Sequence, residues 1–169
     1  MIVVKLMGGL GNQMFQYAAG RALSLKHDSA LVLDTSFFNG DQANHTPREF
    51  QLDRLRLGSV QVSPAEIPAD AELPLTLLER LKDAGWKIFA SGPKMYRYRE
   101  RSYLFQEEFF RLPDNVYLDG YWQSQRYFMH IEEVIREEFK PAFKPSDINL
   151  IRDIGYRFRL DTYKARGLR

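Results

Sequence analysis

The residues with the clearest chemical potential come early: Gly8-Gly9-Leu10-Gly11-Asn12-Gln13-Met14-Phe15-Gln16-Tyr17-Ala18. Closely spaced glycines let a ligand approach the backbone where a side chain would stand in the way. A helix that starts there offers unpaired N–H groups and a positive dipole end, and phosphate or pyrophosphate is the expected guest. Asn12 stands where it either caps the helix or points its amide at the ligand. The same glycines also suit a turn that only packs strand against helix, and local physics leaves both readings open.

A dinucleotide-binding fold is a rival. Gly9-Leu10-Gly11 supplies two glycines of G-x-G-x-x-G, and Asp34 lies where a ribose-binding acid would. Met14 replaces the third glycine, so an oxidoreductase ranks below a phosphate-holding turn. Asp34 and His45, the latter in His45-Thr46-Pro47-Arg48, are candidates for lining a substrate cleft, the acceptor cleft under the resemblance given below. A turn cap and a solvated loop are their plainer readings. His27, His45 and His130 lack metal-ligand spacing, and the chain has no cysteine, which removes disulfide and thiolate chemistry. Tyr121 and Trp122 suit sugar stacking but fit core packing better. Glu132, Glu133, Arg136, Glu137 and Glu138 read as a solvated helix face.

These residues need elements to hold them. Ile2 to Met7 is an apolar, β-branched run that the glycines close, so it reads as a buried strand. Met14, Phe15, Ala18, Ala22 and Leu25 recur at helical steps, which predicts a helix over Asn12 to Lys26. Ala30 to Leu33 is a second strand ending at Asp34. Strand, glycine turn, helix and strand make a βαβ unit and imply a parallel sheet. Further on, Phe50-Gln51-Leu52, Val60-Gln61-Val62, Lys87 to Ala90 and Val116 to Trp122 read as short strands. Leu75 to Leu81 reads as a short helix. Ser124 is placed to cap a helix from Gln125 to Phe139, with Phe128, Ile131, Ile135 and Phe139 as its apolar stripe.

A length of 169 residues suits one domain of α/β class with a Rossmann-like parallel sheet. The domain is expected over 1–145, followed by a basic tail over 146–169. Six basic and three acidic groups in 147–169 leave residues 1–146 with 18 basic and 19 acidic groups. The pI of 8.8 therefore belongs to the tail, and a nucleic-acid surface on the body is not expected. No apolar run reaches the roughly 18 residues of a membrane span. The opening run is too short for a signal peptide. A cytoplasmic place is expected, with peripheral contact at the inner membrane face left open.

Gly8 to Leu23, followed by Asp34, Phe50-Gln51-Leu52 and Leu118-Asp119-Gly120-Tyr121-Trp122-Gln123-Ser124-Gln125-Arg126-Tyr127-Phe128, resembles bacterial α-1,2-fucosyltransferases of glycosyltransferase family eleven. The resemblance covers about residues 1–140. It implies transfer of L-fucose from GDP-β-L-fucose to the 2-hydroxyl of a galactoside-containing glycan, with inversion and without a metal or other cofactor. It also implies a GT-B-like enzyme of which this chain is the amino-terminal half. By match of position, Gly9, Gly11, Asn12 and Gln13 would hold the fucosyl diphosphate. The family's second signature, His-x-Arg-Arg-Gly-Asp, is absent from the 169 residues. The chain alone is therefore expected to lack transferase activity, as a fragment, as a frameshift product or as a non-catalytic nucleotide- or carbohydrate-binding module.

Overall fold

The computed structural model describes residues 1–40, 47–64, 71–72 and 95–142. The expected helix over Leu75 to Leu81, the strand over Lys87 to Ala90, His45 and the tail over 146–169 lie outside the described residues.

The first βαβ unit forms as its periodicity predicts. Strand β1 (Ile2–Lys5) leads into the glycine turn, helix α1 (Leu10–His27) and strand β2 (Leu31–Asp34). Asp28 ends α1 in the left-handed conformation, and the amides of Asp28 and Ser29 return to Leu25 O and Ser24 O. Strands β3 (Val60–Ser63), β4 (Ala71–Glu72), β5 (Tyr96–Arg99) and β6 (Val116–Asp119) complete a parallel sheet of order β3-β2-β1-β6-β5-β4. Fold class is thus α/β and Rossmann-like.

Ile2, Val4, Leu31, Leu33, Val116 and Leu118 face α1 and form the main core with Met14, Tyr17, Ala18 and Leu23. Gly20 brings helix and sheet together. A methyl there would collide with Val4 Cγ2 and come within 3.1 Å of Leu31 Cδ1. The close approach that a third motif glycine gives a dinucleotide fold is supplied here further along the helix, while Met14 packs into the core. On the opposite face Val3, Val32, Met95 and Tyr117 form a smaller cluster.

The structure differs from expectation in four places. Phe50–Leu52 is not a strand; a 3₁₀ turn runs over Leu52–Arg54. The backbone groups that would pair are taken by Gln13, which donates to Glu49 O (2.8 Å) and accepts from Gln51 N (2.9 Å). Tyr96–Arg99, assigned to no element from the sequence, is a strand with alternating Tyr and Arg. The predicted helix from Gln125 to Phe139 is two 3₁₀ turns, Gln125–Tyr127 and Met129–Ile131, followed by α2 (Glu132–Glu138). Tyr127 is drawn toward Phe109 (4.6 Å between rings) and Phe128 toward Phe15 (5.7 Å), which takes Phe128 out of helical geometry. Ser124 still caps, accepting from Arg126 N at 3.4 Å, but it caps a 3₁₀ turn. Finally, Glu138 is not solvated. It is buried, accepting from Tyr17 Oη (2.7 Å) and Arg21 Nε (3.0 Å).

Candidate functional site

The strand order breaks between β1 and β6, and ligands of open α/β sheets bind outside the carboxyl ends at such a break. Here the two glycine-bearing turns leave the sheet side by side. After β1, Gly8 takes a positive φ of 76°. A side chain at Gly8 would also overlap the Asn12 amide. Gly9 then precedes α1 with ordinary extended dihedrals and no side-chain cap. The first turn of α1 carries no acidic residue that would offset its positive end. Among the described residues, a methyl on Gly9 would meet only the Arg48 guanidinium, 3.6 Å from Nη1. Packing among the described residues therefore does not require glycine at 9. Gly11 is exposed in the first turn.

Three amides in α1 tie this edge together. The Asn12 side chain lies over Gly8, and its Oδ1 accepts from Gln123 Nε2 at 2.7 Å. Gln13 is fully buried and holds Gly8 O (3.0 Å), Glu49 O and Gln51 N, which fixes the segment carrying Arg48 against the helix start. Gln16 is also fully buried. It accepts from Met7 N (3.0 Å) and donates to Gly120 O (3.2 Å), bridging the turns after β1 and β6. The motif puts Asn12 and Gln13 at this edge; Gln16, in the same motif, and Arg48, in the stretch beginning at His45, had no role assigned there from the sequence. The signal for Gln16 was a polar residue interrupting the buried stripe of α1, where its amide had to be satisfied.

Asp34 ends β2, fully buried. It accepts from Tyr117 Oη (2.8 Å) and Ser36 N (2.8 Å). Burial first, then the Asp34 bond and charge, push the Tyr117 hydroxyl well above its ordinary value. The Arg97 guanidinium lies 4.6 Å from the centre of the Tyr117 ring and 3.4 Å from Asp119 Oδ2. Asp34 thus stands on the face opposite α1, separate from the glycine turn. Among the described residues no group of three or more His, Cys, Asp or Glu is arranged to hold a metal, and no helix is long and apolar enough to cross a membrane.

The chain thus carries a Rossmann-like sheet with a helix start at its order break that no side chain caps, and the known proteins it is similar to are glycosyltransferases. Over 157 residues, 88% of the chain, it is 31% identical to an α-1,2-colitosyltransferase of Escherichia coli. Over 53 residues, 31% of the chain, it is 47% identical to the O-antigen biosynthesis glycosyltransferase WbnK of Escherichia coli. The chain spans 47% of the first protein's length, and the match covers 18% of the second's. No family model matches the chain, and no solved structure matches it.

Proposed function

We propose that this chain is the donor-binding, amino-terminal half of a GT-B-like glycosyltransferase. It would move L-fucose, or a close relative of it, from a GDP-linked donor to the 2-hydroxyl of a galactoside, inverting the anomeric centre. The glycan under construction would be a bacterial surface polysaccharide such as O-antigen. The observation that carries this reading is the similarity across 88% of the chain to a transferase whose name specifies an α-1,2 linkage and colitose, a sugar related to fucose.

In this proposal the amides at Gly9, Gly11 and Asn12 hold the donor diphosphate at the helix start, where the dipole favours negative charge. Arg48 adds a guanidinium at the same end. As the sugar–phosphate bond breaks, charge grows on the leaving diphosphate, and fixed donors of this kind lower the barrier without a metal. Gln13 acts indirectly, by bracing the segment that carries Arg48. Asp34 would support the acceptor side from beneath by fixing Ser36 and Tyr117. The reaction is placed on the cytoplasmic side, with peripheral contact at the inner membrane face.

Calorimetry with GDP-L-fucose, GDP and NAD tests this reading. GDP and GDP-L-fucose are expected to bind and NAD not to. Gly9→Val is expected to weaken the GDP compounds by about tenfold or more, as one lost set of charge-assisted hydrogen bonds would. Binding of NAD in preference to GDP-L-fucose would overturn it.

A further inference from the structure

We infer that Glu100 is a positioning residue for the donor edge, acting through the turn over residues 120–123 to set the orientation of Asn12; this rests on the donor-site reading above. Glu100 follows β5 immediately, and its amide continues the sheet pairing to Asp119 O (2.9 Å). Its carboxylate turns toward the neighbouring loop. Oε2 accepts from Tyr121 N at 2.7 Å and Oε1 from Trp122 N at 3.1 Å, so both oxygens hold consecutive backbone amides. A pair of adjacent N–H groups converging on one carboxylate is an anion nest whose anion is built into the protein.

The turn needs that anion. Trp122 has a φ of 55°, a conformation that bulky L-residues avoid at a cost of order 1–2 kcal/mol. Its indole is fully buried, stacked on Tyr98 (5.8 Å, 17°) and packed against Phe109 (5.3 Å). Packing fixes the ring, while Glu100 fixes the backbone that carries it. Gly120 completes the fit, because a side chain there would overlap Glu100 Cβ. From the other side Gln16 holds Gly120 O.

The product of this arrangement at the surface is Gln123. It is exposed, it follows the left-handed residue, and its amide reaches Asn12 across 111 positions of sequence. With Gln123 donating to Oδ1, the Asn12 amide group is kept over Gly8, at the start of α1. Glu100 therefore orients a donor-edge residue that it does not touch. A glutamine at 100 cannot do the same, since half of its head group is itself a donor and would face a backbone N–H.

The test uses ¹⁵N-labelled protein and GDP-L-fucose on wild type, Glu100→Gln, Glu100→Asp, Gln123→Ala and Glu100→Gln/Gln123→Ala. Glu100→Gln is expected to move the Asn12 side-chain amide resonance to the position it takes in Gln123→Ala. It should weaken GDP-L-fucose by about fivefold to tenfold, the loss that one hydrogen bond carries. Gln123→Ala should weaken it equally, and the double variant no further. A merely structural Glu100 would lower the melting temperature while leaving the Asn12 resonance in place, or its effect would multiply with that of Gln123→Ala. Either result overturns the inference. Gln123 is exposed, so Gln123→Ala supplies its reference resonance whatever happens to the turn, and Glu100→Asp stands in if Glu100→Gln does not fold. If wild type binds no GDP-L-fucose, the donor-site reading falls by itself, and the Asn12 resonance still decides whether Glu100 positions it.

Discussion

Gly8 and Gly9 adjoin in sequence and differ in what they require. Gly8 has a positive φ and no room for a side chain beside Asn12. Gly8→Ala is therefore expected to cost about 1–2 kcal/mol of stability, seen as a lower denaturation midpoint. Gly9 has an ordinary φ of −80° and, among the described residues, only Arg48 nearby. Gly9→Ala is expected to leave the midpoint within about 0.5 kcal/mol of wild type while weakening GDP-L-fucose. Glycine spacing was visible in the sequence, but the division of labour between the two was not, because it depends on Arg48 and on where Asn12 folds back. Gln16 left a signal as a polar residue in a buried stripe, but its partner Gly120 O did not, being remote in sequence; Glu100 left none, because the amides of Tyr121 and Trp122 are brought to it by one left-handed residue. Two tyrosines give a residue-scale pH prediction. Burial first, then carboxylate partners (Glu138 and Asp34), hold the Tyr17 and Tyr117 hydroxyls above their ordinary 10.0. The unfolded chain ionises these groups near that value while the folded chain keeps the protons. Their contribution is therefore complete below about pH 10 and is lost as pH rises beyond it. Melting curves between pH 8 and 11 should fall more shallowly for Tyr117→Phe than for wild type.

At the scale of elements, α1 is the member on which the others depend. It lies against β1 through Gly20, and Gly20→Val is expected to cost about 1–3 kcal/mol or more by overpacking Val4. Chemical denaturation reads that loss directly. The βαβ unit was legible because its hydrophobic period changes from strand to helix at the glycines, and no remote contact overrides that change. The segment over 125–139 was not. Its apolar spacing is helical and all four stripe residues do reach the core, but Tyr127 and Phe128 answer to different aromatic partners and break the helix early. Ser124→Ala should consequently cost little, about 0.5 kcal/mol or less, because a single turn hangs on that cap. Strand β5 was hidden among aromatics, although its Tyr-Arg-Tyr-Arg alternation matches a strand with tyrosines toward the core and arginines toward the opposite face.

At the scale of the molecule, the parallel sheet, its order break and the two turns that meet there make one edge, and the helix start at that edge is where the account places the donor diphosphate. The similarity to glycosyltransferases covers 88% of the chain and less than half of the colitosyltransferase's length. Amide chemical-shift mapping with GDP-L-fucose on the ¹⁵N-labelled chain tests that placement most directly. The account predicts that the backbone resonances of Gly9, Gly11 and Asn12 move on titration, while those of Gln61 and Val62 on the exposed edge strand β3 stay in place. Unmoved resonances at Gly9, Gly11 and Asn12 under saturating GDP-L-fucose, with the largest changes elsewhere on the sheet, would contradict it.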